Sequence, residues 1–520
     1  MNGAESLVST LIAGGVEVCF ANPGTSEMHI VAALDKAPKM RSVLALFEGV
    51  VTGAADGYAR MAEKPACTLL HLGPGLGNGL ANLHNASRAR VPIVNIVGQH
   101  ALAHLQYDPP LASDIEGIAR PYSNWLRTSN SASEIGRDTA DAIVAARTAP
   151  GKIATLIVPA DAAWTDGGEI AEVPKAPDPS MPGRASIDRT IQILRSGERT
   201  AFLIAGRALY GKGLSLAGRV AGASNAKLFA PYPFTRLERG TGLPMVERIH
   251  YILEQAAEQL REFRHLILVG TPAPVSYFAY PGKNPFPMAP GCEVHTLAKP
   301  NEDSVGALQA VADAVHVNKG QTPSQIQTTS QIGERPGAPQ GEITLAGLAA
   351  AVGAVLPENA IVVDESMTSG RAMLPETVNA PPHDWLANTG GSIGIALPLA
   401  VGAAIACRER PVLCLSADGS GMYTLQALWT MAREGLRVTT VVFANRTYGV
   451  LKREFSSLGV GSPGSQALDL FEIGRPDLDW VRLAEGMGVP ARRATSLEEF
   501  TKLLRAGFES QGPSLIEIKL

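Results

Sequence analysis

Short apolar segments, separated by stretches long enough for helices, most limit what this chain can fold into. They recur along its 520 residues as ACTLLHL (66–72), PIVNIVG (92–98), KIATLIVPA (152–160), TAFLIAG (200–206), HLILVG (265–270), AIVVDE (360–365), PVLCLSADG (411–419), VTTVVFAN (438–445) and SLIEIK (514–519). Strands that are apolar on both faces and alternate with helices are typical of parallel sheets covered on both sides. We therefore predict an α/β fold of three consecutive doubly wound parallel-sheet domains.

Two polar stretches rich in Pro and Gly divide the chain. They are residues 166–184 and 319–340, and their composition is typical of linkers. We expect an N-terminal domain over 1–165, a central domain over 185–318 and a C-terminal domain over 341–520.

The charge balance and the cysteines exclude several classes of protein. The chain has 45 Lys and Arg against 49 Asp and Glu, which argues against nucleic acid and anionic membranes as partners, since both need a basic surface. The most apolar run, residues 391–407, contains Pro398 and is shorter than a membrane span, so we expect a buried helix there. Five scattered cysteines without a C-x-x-C pair disfavour disulfides and zinc. We expect a cytoplasmic protein.

Polar residues follow two of the predicted strands. Asp418, Gly419 and Ser420 follow one strand, and Asn445 follows the next. In parallel sheets ligands bind at the carboxyl ends of strands, and a Gly-Ser turn that opens a helix is suited to a diphosphate. The Asp and Asn oxygens, a loop carbonyl that we assign to Thr447, and two phosphate oxygens would complete the octahedral shell of Mg²⁺.

This segment resembles the motif of thiamine diphosphate-dependent enzymes, which begins G-D-G and ends N-N. Ala417 and Ala444 replace the first Gly and the first Asn of that motif, but both metal-binding residues are retained. Tyr448 and Gly449 also match the motif and are assigned to the cofactor site. The resemblance implies thiamine diphosphate and Mg²⁺ as cofactors.

A second motif lies in the first domain. Residues 47–60, FEGVVTGAADGYAR, resemble the family's H-E-x-x-A-x-x-x-A-D-G-Y-A-R, with Phe47 in place of the usual His. The resemblance implies that Glu48 is catalytic: a buried carboxyl at the cofactor's pyrimidine nitrogen stabilises the imino tautomer, which then takes the proton of the thiazolium carbon.

Two other segments resemble the family's cofactor contacts. TGGSIGIALP (389–398) is similar to the stretch that supports the bent cofactor, and Ile393 stands where the supporting apolar residue is found. DESMTSG (364–370) is similar to a diphosphate-contacting loop, which makes Thr368 and Ser369 candidate donors. An ordinary Ser/Thr turn is an alternative interpretation of the second segment.

The subfamily is left open by the sequence. ANPGTSE (21–27) and HLGPGLGNGLANLHNA (71–86) resemble benzoylformate decarboxylase, in which a Ser and a His line the substrate pocket; Thr25 and His71 match them. That enzyme's second catalytic His has no counterpart in GTPAPVSYFAYPG (270–282). GPGLGN (73–78) and DIEGIARPYSNW (114–125) instead resemble acetolactate synthase, although LASD replaces its Phe-Gln pair.

The resemblance implies decarboxylation of a 2-oxo acid. The enamine intermediate would be either protonated to an aldehyde or joined to a second carbonyl. A catalytically inactive or regulatory relative is one alternative. A flavin or nicotinamide oxidoreductase is another, disfavoured because G-x-G-x-x-G is absent. In this family one cofactor touches the first domain of one subunit and the third domain of another, so we expect a homodimer or homotetramer with sites between subunits.

Overall fold

The computed structural model describes residues 1–315 and 334–520. All nine apolar segments form strands, as predicted. The strands are β1 Val18–Asn22, β2 Arg41–Leu44, β3 Ala66–Leu70, β4 Ile93–Gln99, β5 Trp125–Thr128, β6 Ile153–Pro159, β7 Thr200–Ile204, β8 Lys227–Ala230, β9 Arg236–Arg239, β10 Glu247–Arg248, β11 His265–Val269, β12 Glu293–Ala298, β13 Ile361–Glu365, β14 His383–Ala387, β15 Val412–Ala417, β16 Val438–Ala444, β17 Ala491–Ala494 and β18 Ser514–Lys519.

Helices fill the intervals between strands. They are α1 Gly3–Ala13, α2 Met28–Asp35, α3 Glu48–Ala62, α4 Leu72–Ala89, α5 Leu102–Leu105, α6 Ile115–Ala119, α7 Ala132–Arg147, α8 Ala160–Trp164, α9 Arg184–Arg195, α10 Gly211–Ser224, α11 Leu253–Leu260, α12 Ser304–Val315, α13 Leu345–Val355, α14 Met373–Glu376, α15 Ala396–Ala406, α16 Asp418–Gly421, α17 Ala427–Arg433, α18 Gly449–Ser457, α19 Ser465–Phe471, α20 Trp480–Gly486 and α21 Leu497–Glu509. Single 3₁₀ turns cover Thr25–Glu27 and Gly206–Leu209.

The strands form three sheets, which confirms the predicted fold class. The first has the order β2-β1-β3-β4-β6-β5 and the second β10-β8-β7-β11-β12, and their strands run parallel. The third has the order β17-β18-β16-β15-β13-β14-β9 and is mixed, since β9 pairs antiparallel with β14. The prediction did not foresee that β9, from the central segment, extends the third sheet.

The domain boundaries stay predictions. Of the two expected linkers, residues 166–184 form isolated bridges through Asp166 to Asn2 and through Ser180 to Glu302, and α9 begins at the last residue of this stretch. Most of the other linker, residues 319–333, lies outside the described residues.

Helices α3 and α15 join the first and third sheets. Their buried side chains belong to one apolar core. A side chain at Gly57 would collide with the carbonyl oxygen of Leu399, and one at Gly402 with that of Ala54, so these glycines allow the two backbones to approach closely. The apolar run around Pro398 is thus a buried helix, as expected. No helix within residues 1–315 and 334–520 is long and apolar enough to cross a membrane.

A buried ion pair on α3 connects all three segments of the chain. Arg60 and Asp56 form it over 2.7 Å with both side chains fully buried. Arg60 also donates to the carbonyl oxygens of Thr235 (3.0 Å) in the central segment and Ala387 (2.7 Å) at the end of β14. Burial raises the pKa of Asp56, which Arg60 opposes. The D-G-Y-A-R part of the motif therefore fixes the relative placement of the sheets.

Candidate active site

Asp418 connects two loops at the carboxyl ends of adjacent strands. It follows β15, and its buried carboxylate accepts hydrogen bonds from the backbone N–H groups of Gly419 (2.8 Å) and of Arg446 (2.7 Å), which follows β16. Burial raises the pKa of Asp418, and the backbone donors act in the opposite direction. The carboxylate is thus held at the sheet edge where ligands bind in this fold.

Asn445 lies beside the candidate diphosphate donors. Its amide nitrogen is 3.4 Å from both the Thr368 and Ser369 hydroxyls. Its amide oxygen accepts from the backbone N–H of Thr447 (3.1 Å). Thr368, Ser369 and Asn445 line a cavity of about 520 Å³ that the end of β18 also borders, with Lys519 in its wall. The structure therefore brings together residues that lie more than 70 positions apart, Asn445 and the hydroxyls of Thr368 and Ser369.

Glycines bring these loops into close contact. A Cβ at Gly419 would lie 2.6 Å from the ring of Tyr448, and one at Gly449 would lie 3.0 Å from the Thr368 hydroxyl. Ser420, the third residue of the turn, is buried. Larger residues at either glycine would separate the loops.

The donors in this region suit a diphosphate with Mg²⁺. They are one carboxylate, one amide oxygen, hydroxyls and backbone groups, and Mg²⁺ prefers such oxygen ligands with substrate phosphates completing its shell. In the described part of the chain, no group of three or more His, Cys, Asp or Glu could hold a metal ion by itself. A metal here would therefore depend on the diphosphate for part of its coordination.

Ile393 lies half-buried in the loop between β14 and α15. Helix α4 of the first sheet holds this loop: His84 Nε2 lies 3.0 Å from the Gly390 carbonyl oxygen, and the Asn85 amide donates to Ser392 (2.9 Å). Gly394 follows with φ of +92°, a conformation that favours glycine. The loop predicted to support the cofactor belongs to the C-terminal part of the chain and is held in place by a helix of the N-terminal part.

Glu48 is the first residue of α3 and faces the glycine-rich start of α4. Its carboxylate accepts from the amide of Asn78 (3.0 Å), and a Cβ at Gly75 would lie 3.2 Å from its Oε1 atom. Contrary to the expected buried carboxyl, the side chain is half-buried in the single chain. Its surroundings in the described part of the chain therefore differ from the dry environment that the chemistry requires.

Glu27 is a buried carboxylate that the sequence did not single out. It lies 2.7 Å from His71 Nδ1 and accepts from the Ser26 hydroxyl and the Gly24 N–H, each at 2.7 Å. A side chain at Gly98 on β4 would collide with its carboxylate. Because β1, β3 and β4 are neighbours, their carboxyl ends bring Glu27 and His71 together. The order of these strands is the information from which this pair could have been predicted.

Thr25 belongs to the 3₁₀ turn that contacts His71, but Thr25 itself does not make the contact to the ring. Ser26, rather than Thr25, lies 3.2 Å from His71 Nδ1, and Thr25 is exposed in the single chain. Because an ionised carboxylate only accepts hydrogen bonds, its contact with Nδ1 assigns the ring proton to Nδ1 and leaves Nε2 as the basic atom of a neutral His71 ring.

Tyr277 and Tyr280 lie in the stretch 270–282, which has no counterpart of the second catalytic His. The Tyr277 hydroxyl packs against Gly391, next to the Ile393 loop. Tyr251 and Tyr280 donate to the buried Glu454 carboxylate on α18, over 3.1 and 3.0 Å. The central segment thus contacts the Ile393 loop and helix α18, which both lie next to the candidate cofactor site.

Sheet topology, a diphosphate-type turn and a separate helix-terminal glutamate define an α/β enzyme that depends on a diphosphate cofactor. Two family models match the chain: the thiamine pyrophosphate enzyme N-terminal TPP binding domain over residues 1–118 and the C-terminal TPP binding domain over residues 367–518. A Mycobacterium tuberculosis protein with a provisional name as acetolactate synthase large subunit IlvX is 52% identical over all of this chain and 99% of its own length. The chain belongs to the thiamine diphosphate-dependent enzymes.

More distant relatives include decarboxylases, one of the two activities that the sequence left open. Benzoylformate decarboxylase of Pseudomonas aeruginosa is 27% identical over 97% of this chain and 96% of its own length. The thiamine diphosphate-dependent 4-hydroxybenzoylformate decarboxylase of Rhodococcus jostii RHA1 shares the fold, with a TM-score of 0.87, 23% identity, and coverage of 100% of this chain and 99% of that chain. These findings confirm the predicted family and the thiamine diphosphate cofactor, and they do not favour a flavin or nicotinamide enzyme.

Proposed function

We propose that this enzyme uses Mg²⁺ and thiamine diphosphate to remove carbon dioxide from a 2-oxo acid. The observation that carries the proposal is that one chain contains both halves of such a site, Glu48 on α3 and the Asp418–Asn445 pair with its neighbouring hydroxyls. When bound, the cofactor supplies a nucleophilic thiazolium carbon and a ring that accepts the electron pair released with carbon dioxide.

Each half has its own task. Asp418, Asn445 and the Thr447 carbonyl would hold Mg²⁺, while the hydroxyls of Thr368 and Ser369 would contact the diphosphate. Glu48 holds a proton at the pyrimidine nitrogen, and Asn78 orients its carboxyl by donating to the other oxygen. Ile393 supports the cofactor from its half-buried loop.

The Glu27–His71 pair handles a proton at the substrate. Its carboxylate fixes the ring, so that His71 can donate to or accept from a reacting atom through Nε2. Delivery of a proton to the carbon that carried the carboxylate would allow an aldehyde to leave, and this favours the decarboxylase outcome. The carboligase outcome is favoured by the segments 73–78 and 114–125; Ser113, which precedes the second, packs against Gly73 of the first.

The assembly is part of the proposal. Glu48 is half-buried in one chain, although its role needs a dry environment. A second copy that covers Glu48 with its own Asp418 side would complete the site, so we propose a homodimer or a homotetramer. All five cysteines are free, which supports a reducing, cytoplasmic location.

A substrate panel tests the reaction. Purified protein with thiamine diphosphate and Mg²⁺ is given pyruvate, 2-oxobutyrate or benzoylformate, and carbon dioxide, aldehyde and acetolactate are measured. We expect carbon dioxide from at least one of them, and none after the cofactors are removed by dialysis against chelator. Absence of carbon dioxide from all three at saturating cofactor would contradict the proposal.

We expect Glu27→Gln to lower kcat/KM by about 10- to 100-fold, because a hydrogen bond to a charged group contributes about 1.5–3 kcal/mol. Glu17→Gln, an exposed carboxyl just before β1, is the control and should leave the rate unchanged. If Glu27 acts through His71, the change adds little in a His71→Asn background. Independent, additive losses in the double variant would contradict this role.

A further inference from the structure

A second buried carboxylate lies beneath the Ile393 loop. Glu365 is the last residue of β13 and is 2% exposed. Its two oxygens accept hydrogen bonds from the Gly394 N–H (3.1 and 3.2 Å), the Ala396 N–H (3.1 Å) and the Asn388 amide (2.9 Å). These donors lie on both sides of Ile393, and Ala396 is the first residue of α15. One side chain therefore fixes the loop and the start of the helix that follows it.

Two other hydrogen bonds to this loop involve its carbonyl groups, and they do not supply acceptors for the N–H groups that Glu365 binds. The Asn388 amide also donates to the Ser392 carbonyl (2.9 Å), and Thr424 donates to the carbonyl of Gly394 (2.7 Å). Neither contact uses the N–H groups of Gly394 and Ala396. Buried N–H groups without acceptors are costly, so the loop conformation needs an acceptor at the position of Glu365.

The geometry requires Glu365 to be ionised, but burial opposes this. All of its hydrogen-bond partners are neutral donors, and a protonated carboxyl would present a proton to one of them. Burial raises its pKa to about 7, against the pull of these donors. The titratable groups around it are Asp364 on the same strand and the Cys414 thiol on β15, whose pKa is raised by burial and by both carboxylates. A cation near the loop would favour the ionised form of Glu365.

We propose that Glu365 is a positioning residue that holds the Ile393 loop ready for thiamine diphosphate, and that cofactor binding is coupled to release of its proton to solvent. The cofactor supplies a positively charged thiazolium ring, and a cation bound near this loop would favour the ionised form of Glu365. The inference rests on the proposed cofactor site, and it adds a residue that binds no part of the cofactor.

Calorimetry of thiamine diphosphate with Mg²⁺ tests the first part. Glu365→Gln keeps the size of the side chain but turns one acceptor into a donor, so we expect the affinity to fall about 10- to 100-fold. Glu517→Gln is the matched control: Glu517 is also a buried carboxylate of the third sheet, but it pairs with Arg493 and should leave the affinity unchanged. Unchanged affinity in Glu365→Gln would overturn the inference.

The pH dependence tests the second part. A carboxyl that loses its proton on binding tightens the complex as the pH rises from 6 to 8. The wild type should show a steeper rise in affinity than Glu365→Gln, since the ionisation of the diphosphate is common to both. Titrations near pH 7, in two buffers of different ionisation enthalpy, should show more proton release for the wild type than for Glu365→Gln, and absence of any release by the wild type counts against the coupling even if the variant fails to fold. Equal slopes, or no proton release, would overturn the coupling.

Asp418→Ala separates this inference from the proposed function. If Asp418→Ala loses cofactor binding while Glu365→Gln keeps it, the site stands and only the role of Glu365 is wrong. If Asp418→Ala binds the cofactor normally, the proposed site itself is wrong.

Discussion

Replacing Glu48 by glutamine is expected to lower kcat by at least about 100-fold, while the affinity for thiamine diphosphate changes by less than about tenfold. A positioned acid–base group supplies about 100- to 10,000-fold in rate. Glutamine keeps the size of the side chain and an oxygen for the Asn78 amide, but it has no carboxyl proton to share with the pyrimidine nitrogen. Steady-state kinetics measures the rate, and calorimetry measures the cofactor affinity.

The matched control for this variant is Glu134→Gln. Glu134 is also a carboxylate in the first turn of a helix, α7, but it lies outside the candidate site, so neither measurement should change. Near-normal turnover of Glu48→Gln at saturating cofactor would show that another group activates the cofactor.

Asp418→Ala is expected to lower cofactor affinity by more than about 100-fold, and added Mg²⁺ should not restore activity. The change removes the only side-chain carboxylate assigned to the metal, so the charge of the diphosphate is left uncompensated. It also removes the acceptor for two backbone N–H groups, those of Gly419 and Arg446. Calorimetry with Mg²⁺ measures the affinity.

The variant Asp418→Asn distinguishes loss of cofactor binding from a general folding defect. It keeps the volume and one acceptor oxygen, so we expect a similar thermal unfolding temperature to wild type with weakened cofactor binding. Asp469→Ala, an exposed carboxyl paired with Arg475, is the control and should bind normally. Full activity of Asp418→Ala at ordinary Mg²⁺ would refute the metal site.

A mixture of Glu48→Gln and Asp418→Ala chains tests where the site is assembled. If the site lies between subunits, each mixed dimer has one site with both changes and one with neither. Activity should then reappear after subunit exchange. A mixture as inactive as its parents, with exchange shown by mass spectrometry, would place both halves within one chain.

The strands and the site loops follow from local sequence. The nine apolar runs form strands because each is apolar on both faces and short, a pattern that suits a buried parallel strand. Asp418 and Asn445 could be placed at one sheet edge because each directly follows such a run. Gly419 and Gly449 were part of the motif, and their closeness to Tyr448 and Thr368 gives them a steric reason.

The partners of the buried charges could not be found in this way. Glu27 lies 44 positions before His71, and the Arg60 contact to Ala387 spans 327 positions. A sequence pattern reports which side of a strand or helix is apolar, but it does not report which charged groups meet after packing.

The sequence by itself determined the class of fold and the family, because those depend on short-range periodicity and on motifs within one loop; the site residues that it assigns stay predictions. Only the tertiary structure decided that Glu27 holds His71, that Glu365 holds the Ile393 loop and that Glu48 is half-buried in one chain. These features depend on which strands are neighbours and on what covers them. The free energy of a buried carboxylate is set by the donors that surround it, and these come from distant parts of the chain.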